Sequence, residues 1–264
     1  MSKSPRKFGK PRRDFLRTLV YGIGVIGVSI AGFVPVLFGR TRKVRPPGAL
    51  VDQQFMAACI KCGQCVQVCP VKAIKLADAD QGFGIGTPYI DTREQACDFS
   101  CDGLQCVLAC PTGALTHEIN FAHQSEMAWA RIDRPESCLA AKGLGFKGLA
   151  RGKHFDGHLR FDEIDRWNPI AVRDHPYDLE LCDLCVRQCP IEIRANQCDA
   201  GKPPSGDVNQ CPPKPAISLK PIDDQGGFLP EIHEGCVGCG VCEMICPAEP
   251  GVIVMDYRQP ENFA

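Results

Sequence analysis

The sequence predicts an α+β fold of four tandem repeats, each consisting of a cysteine-bearing loop, a short helical turn and a short strand. Two observations support this prediction. The chain of 264 residues contains 18 Cys, 26 Gly and 22 Pro, a composition typical of a loop-rich protein that lacks a large apolar core. The cysteines also recur with one spacing, C-x2-C-x2-C-x3-C-P, which is complete at residues 59–70 and again at residues 236–247.

The first complete copy of this spacing points to a metal cluster. Three thiolates at a pitch of three residues can bind three irons of one [4Fe–4S] cube, and in two-cluster proteins the fourth cysteine ligates the neighbouring cube. Zinc sites usually use two separated C-x2-C pairs, and a disulfide framework does not need four Cys within eleven residues. The predicted ligands here are Cys59, Cys62, Cys65 and Cys69, followed by Pro70.

The other three cysteine strings vary the same pattern. The second has the looser spacing C-x3-C-x4-C-x3-C-P, and the third lacks its first cysteine, because Leu179 occupies that position. Together the four repeats use 15 of the 18 Cys and leave Cys138, Cys198 and Cys211. The further predicted ligands are Cys97, Cys101, Cys106 and Cys110; then Cys182, Cys185 and Cys189; then Cys236, Cys239, Cys242 and Cys246.

Short elements are predicted around these loops. Residues 51–58 contain no strong helix breaker, which predicts a short helix leading into the first repeat. Apolar or alternating runs after each Cys-Pro predict strands at 71–76, 113–116, 216–219 and 252–255. This unit is similar to that of bacterial ferredoxins, in which pairs of units pack pseudo-symmetrically. Because such repeats bury little apolar area, we expect the clusters to act as their core.

The chain divides by composition into two parts. Residues 1–50 hold an export signal or membrane anchor and a linker, and residues 51–264 hold the four-cluster domain. Within the domain the repeats are predicted near 51–77, 90–120, 138–220 (with insertions) and 230–257. Residues 40–50, with Pro46, Pro47 and Gly48, are predicted to be an exposed linker.

The N-terminal segment favours export. Arg12 and Arg13 precede an apolar, Gly-rich run from Leu19 to Phe38, as in twin-arginine signals. A plain membrane anchor has the same basic flank, and twenty residues would be long enough to span a bilayer. The twin-arginine route exports folded proteins, which suits a protein whose clusters are inserted before export. We therefore expect a periplasmic protein, either released after cleavage or tethered to the inner membrane.

The charge is distributed unevenly. Residues 1–50 carry 11 Lys and Arg against one acid, Asp14, whereas residues 51–264 carry 19 Lys and Arg against 30 Asp and Glu, a formal charge of −11. Ionised cluster thiolates would add negative charge. A domain this acidic is expected to bind nucleic acid poorly and to favour a cationic docking partner.

The first ligand of the third repeat must be Cys138, Cys198 or Cys211. The repeats and the twin-arginine leader resemble the MauM/NapG ferredoxin-type proteins, which carry four [4Fe–4S] motifs, and the resemblance covers the chain from Arg12 to Met255. The string Cys138-Leu139-Ala140-Ala141-Lys142-Gly143-Leu144 is similar to the start of that family's third motif, so the resemblance implies Cys138 as the ligand. Cys198 and Cys211 would then be a spare pair that could form a disulfide in an oxidising compartment. The insertion at 139–181 departs from the family pattern and keeps Cys211, which precedes a proline, as the alternative.

Analogy with two-cluster ferredoxins implies which repeats exchange their fourth cysteine. The outer repeats would pair, so that Cys246 joins the first loop and Cys69 joins the fourth. The inner repeats would likewise pair, so that Cys189 joins the second loop and Cys110 joins the third.

Two groups of residues, one in the insertion at 139–181 and one in the segment before it, are predicted to have structural roles and not to bind a cofactor. Met127, Trp129 and Ile132 are expected on the packed side of a short segment. His154 and His158 would share a helix face as metal ligands, but nearby Gly152 and Gly157 favour a solvated loop.

The sequence contains no nucleophile–base pair, phosphate loop or dinucleotide fingerprint. It therefore favours an electron carrier over an enzyme. The family resemblance implies a membrane quinol-oxidising donor and a periplasmic c-type cytochrome or reductase as acceptor. Two alternatives are an assembly factor for a periplasmic dehydrogenase and a permanent electron-transfer subunit of a molybdenum oxidoreductase.

Overall fold

The computed structural model describes residues 11–38, 43–78, 84–161, 164–222 and 226–257. It contains short helices, short strands and many loops, which confirms the predicted mixture of helix and strand. The chain separates into a first unit, residues 1–41 and 78–85, and a second unit, residues 42–77 and 86–264. All 18 cysteines lie in the second unit.

The first unit contains one helix, α1, which spans Pro11–Phe38. Proline suits the first turn of a helix because its missing N–H would have no partner there. Within the helix the Thr18 hydroxyl donates to the Asp14 carbonyl at 2.9 Å. Apolar side chains from Phe15 to Val28 are exposed along it. In the described ranges, no helix combines the length and apolar character required to cross a membrane.

The predicted exposed linker at 40–50 is wrong from residue 43 onward, whereas residues 40–42 lie outside the described ranges. Val44 is 6% exposed and bridges to Ile90, and Ala49 bridges to Leu115. The Arg45 guanidinium donates to Asp52 at 2.9 Å and lies 4.8 Å from the Phe55 ring centroid. Residues 43–50 therefore form a packed, extended segment. Proline disfavours a helix here, and the extended backbone that it allows can pair with neighbouring segments.

The elements of the second unit are short. The predicted helix at 51–58 is confirmed, and three of the four predicted strands form with shifted ends. At 113–116 only the single bridge from Leu115 to Ala49 forms, so that predicted strand is wrong. The helices are α2 (Asp52–Ala58), α3 (Gln64–Gln67), α4 (Gln105–Leu108), α5 (Leu184–Arg187), α6 (Pro190–Asp199) and α7 (Val241–Ile245). The strands are β1 (Ile74–Leu76), β2 (Pro88–Ile90), β3 (Ala128–Ile132), β4 (Phe146–Gly148), β5 (His158–Phe161), β6 (Asp165–Ala171), β7 (Tyr177–Leu179), β8 (Ile217–Pro221), β9 (Phe228–Ile232) and β10 (Ile253–Tyr257).

The strands of the described residues form five antiparallel pairs: β1–β2, β3–β10, β4–β7, β5–β6 and β8–β9. Two pairs occupy equivalent places: β1–β2 connects the first repeat to the second, with Ile74 opposite Ile90, and β8–β9 connects the third to the fourth, with Ile217 opposite Ile232. The strand before the third repeat, β3, pairs with the strand after the fourth, β10. The Ala49–Leu115 bridge is the counterpart around the first two repeats. Consecutive repeats therefore form each half of the unit, and α3 contacts α4 as α5 contacts α7.

One segment joins the two halves. Residues 92–97 lie against residues 239–249, where the Arg93 guanidinium donates to the carbonyls of Cys246 at 3.2 Å and Ala248 at 3.1 Å. The Thr92 hydroxyl donates to Glu243 at 2.7 Å, and the Cys97 N–H donates to the Cys239 carbonyl at 3.3 Å. These hydrogen bonds fix the positions of the two segments relative to each other, because each donor and acceptor is held within its own segment.

The insertion at 139–181 folds over this junction. Its strand β5 is anchored to the second repeat: His158 exchanges backbone bonds with the Gln95 side chain at 2.7 and 2.9 Å, and the Arg160 N–H donates to Asp98 at 2.9 Å. His158 therefore belongs to a strand, whereas His154 is exposed in a turn, so the two do not share a helix face. In the segment before the insertion, the prediction that Met127, Trp129 and Ile132 lie on the packed side is wrong for Trp129. Met127 is 3% exposed, but Trp129 is 45% exposed because β3 alternates and places Ala128 and Ala130 inside.

The structure predicts that the fourth cysteine loop does not tolerate a side chain at Gly238. Its φ is +69°, and a Cβ there would collide with the backbone of Ala128, which β3 holds in register with β10. Gly113 has a similar φ of +68° but open space around it, so it is a matched control. Left-handed backbone alone costs a non-glycine residue about 1–2 kcal/mol. We expect Gly113→Ala to lose about that much stability, and Gly238→Ala to lose clearly more and to lower the iron content. Thermal unfolding and iron analysis of anaerobically purified protein measure this, and equal losses would contradict it.

Candidate metal centre

Sixteen of the cysteines are free thiols, and they gather into four groups of three plus one. Each group combines three cysteines of one repeat with the cysteine before the proline of another. Group I is Cys59, Cys62, Cys65 and Cys110; group II is Cys97, Cys101, Cys106 and Cys69; group III is Cys138, Cys182, Cys185 and Cys246; group IV is Cys236, Cys239, Cys242 and Cys189.

Groups I and II form in the first half because α3 and α4 pack together. Burial, with the nearby charges of Cys59, Cys62 and Cys110, raises the pKa of the Cys65 thiol to about 11. Burial also raises the pKa of Cys106, and there the further contributions come from Cys101, Cys69 and Cys65. Because Cys110 lies near Cys65 and Cys69 lies near Cys106, Cys110 belongs to the first group and Cys69 to the second.

Groups III and IV line two small apolar cavities in the second half. One cavity is lined by all four thiols of group III together with Leu184 and Ile253. The other is lined by the thiols of group IV together with Ile191 and Val237. Burial and the charges of its neighbours raise the pKa of Cys182 to about 11, and burial chiefly raises that of Cys189 to about 12.

The predicted exchange between outer repeats and between inner repeats is therefore wrong. Cys246 lies with the third repeat and not with the first, and Cys189 lies with the fourth and not with the second. The physical reason is the pairing of consecutive repeats described above: β1–β2 and β8–β9 are short connections, and they hold each repeat beside the next one.

The odd cysteines are resolved in the way that the resemblance implied. Cys198 at the end of α6 and Cys211 form a disulfide, with Cα atoms 5.9 Å apart, which confirms the expected spare pair. Cys138 is 6% exposed and lies with Cys182 and Cys185. The alternative in which Cys211 completes the third repeat does not agree with this arrangement, because its sulfur is already bonded.

Backbone N–H groups are directed at two of the exchanged thiols. The Ala73 N–H donates to Cys69 Sγ at 3.3 Å, and the Leu115 N–H donates to Cys110 Sγ at 3.4 Å. For Cys110, burial opposes ionisation, but N–H donors from Leu115 and Thr112 outweigh it and lower its pKa. Such bonds favour the thiolate, the form that binds iron, and they are among the features that set cluster potentials.

The donor sets fit an iron–sulfur cube. Every member is a thiol, the softest donor that proteins offer, and the fourth thiol comes from a second repeat as two-cluster ferredoxin sites require. Within the described residues, no three His, Cys, Asp or Glu side chains converge tightly enough for a single metal ion. A cube holds its ligands at separate corners and so does not need that convergence. All the predicted cysteine positions are thus brought into groups, although with different partners.

The groups follow one another in the order I, II, IV, III. Groups I and II adjoin through Cys65 and Cys106, and groups II and IV adjoin through the bond between Cys97 and Cys239. Groups IV and III adjoin at Cys242, which lines both cavities. Cys62 at the group I end is exposed, whereas Cys97, Cys106, Cys239 and Cys242 in the middle are buried.

Asp98 is a member of this centre that sequence reasoning missed. It is 8% exposed. Burial chiefly raises the pKa of Cys69, Cys97 and Cys239, and the charge of Asp98 adds a smaller contribution to each, so Asp98 lies near both group II and group IV. Its carboxylate accepts the N–H groups of Ser100 and Arg160, each at 2.9 Å. A carboxyl beside cluster ligands affects their charge balance. Its position next to Cys97 was the only available signal, and adjacency alone does not show which way a side chain points.

Family models agree with this chemistry. A model described as a 4Fe-4S dicluster domain matches residues 58–140, and one described as a 4Fe-4S binding domain matches residues 233–252. No solved structure matches the chain. With the thiol groups, these matches define an iron–sulfur protein of the ferredoxin type.

Curated relatives identify the family. The methylamine utilization ferredoxin-type protein MauM of Paracoccus denitrificans is 32% identical over 244 residues, covering 89% of this chain and 82% of the relative. The ferredoxin-type protein NapG of Escherichia coli is 30% identical over 253 residues, covering 92% of this chain and 84% of the relative. The chain belongs to the MauM/NapG family of ferredoxin-type proteins. Membership implies a role in iron–sulfur electron transfer.

Proposed function

We propose that this protein is a periplasmic electron carrier that holds four [4Fe–4S] clusters, one in each cysteine group. The observation that carries the proposal is the gathering of sixteen free thiols into four adjoining three-plus-one groups. Clusters with four cysteine ligands supply one-electron transfer and leave no iron position open to a substrate. The two halves of the second unit are then tandem ferredoxin-like modules of two clusters each.

The ligands in this proposal are the sixteen cysteines of groups I to IV, including Cys138. The chain's own contribution is to hold the thiols apart from water and to orient them. The buried lining of groups III and IV excludes solvent, and the N–H groups of Ala73 and Leu115 stabilise thiolate character at Cys69 and Cys110.

The order I, II, IV, III makes groups I and III the two ends of the proposed relay. Exposure of Cys62 favours group I as one point of exchange with a partner. The insertion at 139–181 covers the middle groups through its bonds to Gln95 and Asp98, which favours exchange at the ends over exchange in the middle. Electrons would then cross the whole chain between donor and acceptor.

We propose a membrane quinol dehydrogenase-type protein as donor and a c-type cytochrome or periplasmic reductase as acceptor. The formal charge of −11 on residues 51–264 supports a cationic acceptor surface. Raising the salt from about 0.01 M to about 1 M shortens the Debye length from about 30 Å to about 3 Å. We expect electron transfer to a basic cytochrome to slow by about tenfold or more over that range. Stopped-flow absorbance measures the rate, oxidation by a small neutral oxidant is the control, and equal salt responses would contradict charge-guided docking.

The ligand assignment has a direct test in iron content. Cys138→Ser should lower iron from about 16 to about 12 atoms per chain, because one four-iron cube loses a ligand. The matched control changes both Cys198 and Cys211 to Ser, which should keep all the iron and cost about 3 kcal/mol of stability for the lost disulfide. Redox-titrated EPR of anaerobically purified protein counts the reducible clusters in each variant. Fewer than four clusters in the unmodified protein, or full iron in Cys138→Ser, would contradict the proposal.

Export by the twin-arginine route is tested at the paired arginines. Replacing Arg12 and Arg13 by Lys should leave cluster-loaded protein in the cytoplasm, because that route reads the arginine pair and carries folded cargo. Cell fractionation followed by iron analysis of each fraction measures this. The control replaces Arg40 and Arg42, which follow the apolar run, by Lys and should export normally. Periplasmic accumulation of the Arg12, Arg13 variant at the unmodified level would show that another route is used.

A further inference from the structure

An opening in the second unit lies next to the cysteine groups, because Asp98 and Gln188, the neighbours of Cys97 and Cys189, line it. It is a cavity of about 410 Å³ between the insertion and α6, and no cysteine lines it. Phe161, His175 and Tyr177 form an aromatic wall, and Arg160, Arg187 and Arg194 contribute guanidinium groups. A second cavity of about 390 Å³ also includes Arg160 and Arg194 and adds Lys202. The volume of the first cavity is within the range of small-ligand sites in proteins.

Arg194 is the unusual member of this lining. It is 5% exposed, and its guanidinium donates to the carbonyls of Pro190 at 2.8 Å and Phe99 at 3.0 Å. In the described part of the chain, no carboxylate forms an ion pair with it. A guanidinium has five N–H donors, and these two bonds leave three available. Buried N–H donors without an acceptor are costly, so the site favours a ligand that carries acceptor oxygens.

Carboxylates lie near Arg194, but their oxygens are bonded to other groups. Asp98 lines the cavity, but its oxygens accept the N–H groups of Ser100 and Arg160. Asp102 is engaged with Arg160 at 2.9 Å, and Asp183 with Arg187 at 2.7 Å. Asp178 at the rim pairs with Lys147 at 2.5 Å. These carboxylates thus already have hydrogen-bond partners, and within the described residues none of them bonds the guanidinium of Arg194 directly.

The aromatic wall supplies a second group without a partner. The His175 ring stacks on Phe161 with centroids 4.1 Å apart and planes 7° apart, and Tyr177 lies 4.7 Å from His175. The His175 Nδ1 atom is buried, and no described residue hydrogen-bonds to it. A ring nitrogen facing the same enclosed space as Arg194 can bond an oxygen, directly or through water.

We propose that this cavity binds a small oxyanion, a carboxylate or a phosphate, through the unused N–H donors of Arg194. The guanidinium groups of Arg160 and Arg187, each also paired with an aspartate, line the same space, and the Phe161–His175–Tyr177 wall can contact an apolar body attached to the anionic group. Planar guanidinium groups bind such oxyanions with two parallel hydrogen bonds. The cavity lining contains no cysteine, so the proposed ligand would not replace a cluster ligand.

Isothermal titration of the iron-loaded protein with sodium phosphate and with sodium benzoate tests this site, against sodium chloride of matched ionic strength. We expect saturable binding of at least one probe. Arg194→Gln should weaken it by about tenfold or more, the usual effect of losing charge-assisted hydrogen bonds. Tighter binding of benzoate would assign an aromatic carboxylate as the ligand class, and tighter binding of phosphate would assign a phosphate.

Two further variants keep the test decisive. Arg187 is half exposed at the mouth, so Arg187→Glu should fold and still weaken binding severalfold by repulsion, even if Arg194→Gln does not fold. Arg131 lies on the exposed face of β3, away from the cavity, so Arg131→Gln should bind normally. Heats that equal those of chloride, or unchanged affinity in both cavity variants, would overturn the proposal.

Discussion

The fold of the second unit depends on gathering buried thiols that repel one another when they ionise. Burial raises the pKa of Cys97, Cys239 and Cys242 well above the ordinary thiol value, and neighbouring cysteine charges raise it further. The elements around them are weak by themselves: α3, α4 and α5 have four residues each, and each described sheet has two strands. Isolated two-stranded sheets are marginal in water. Iron binding reverses the cost of ionising the thiols, so metal binding and folding are expected to be one equilibrium.

Pairing of consecutive repeats follows from this dependence on local connections. Short links through β1–β2 and β8–β9 hold the first cysteine loop beside the second and the third beside the fourth, at a small cost in loop-closure entropy. The two halves then meet at few backbone positions, among them the bond from Cys97 to the Cys239 carbonyl and the contacts of Arg93. The junction thus places group II beside group IV. That contact turns two separate pairs of groups into one continuous series.

The sequence predicts the local features of the site and fails on the long-range ones. Spacing identifies the first and fourth cysteine loops, because three ligands within seven residues are fixed by one turn of backbone, whereas Cys138 of the third was assigned from the family resemblance. It cannot assign Cys110 or Cys246 to a group, because every repeat carries the same Cys-Pro and any exchange satisfies the spacing equally. Pro46 and Pro47 suggest a linker, yet Arg45 ties the segment down through Asp52 and the Phe55 ring. Trp129 was misplaced because strand register, which decides the inward face, depends on its pairing with Asp256 of β10.

The insertion at 139–181 and the helix α6 show how a chain built around cofactors acquires other surfaces. Strands β4 and β7 of the insertion pair, and the Cys182 N–H donates to the Leu144 carbonyl at 3.1 Å, so the insertion returns Cys182 toward Cys138. Its strand β5 binds to Gln95, Asp98 and Ser100 of the second repeat. The insertion also contacts the second half, where the Arg151 guanidinium donates to the Met244 carbonyl at 3.2 Å. The same packing buries Arg194 against the Phe99 carbonyl and encloses the space beside it. A guanidinium-lined cavity is thus a consequence of where the insertion lies, and the proposed anion site would lie next to the cysteine groups without using any of their ligands.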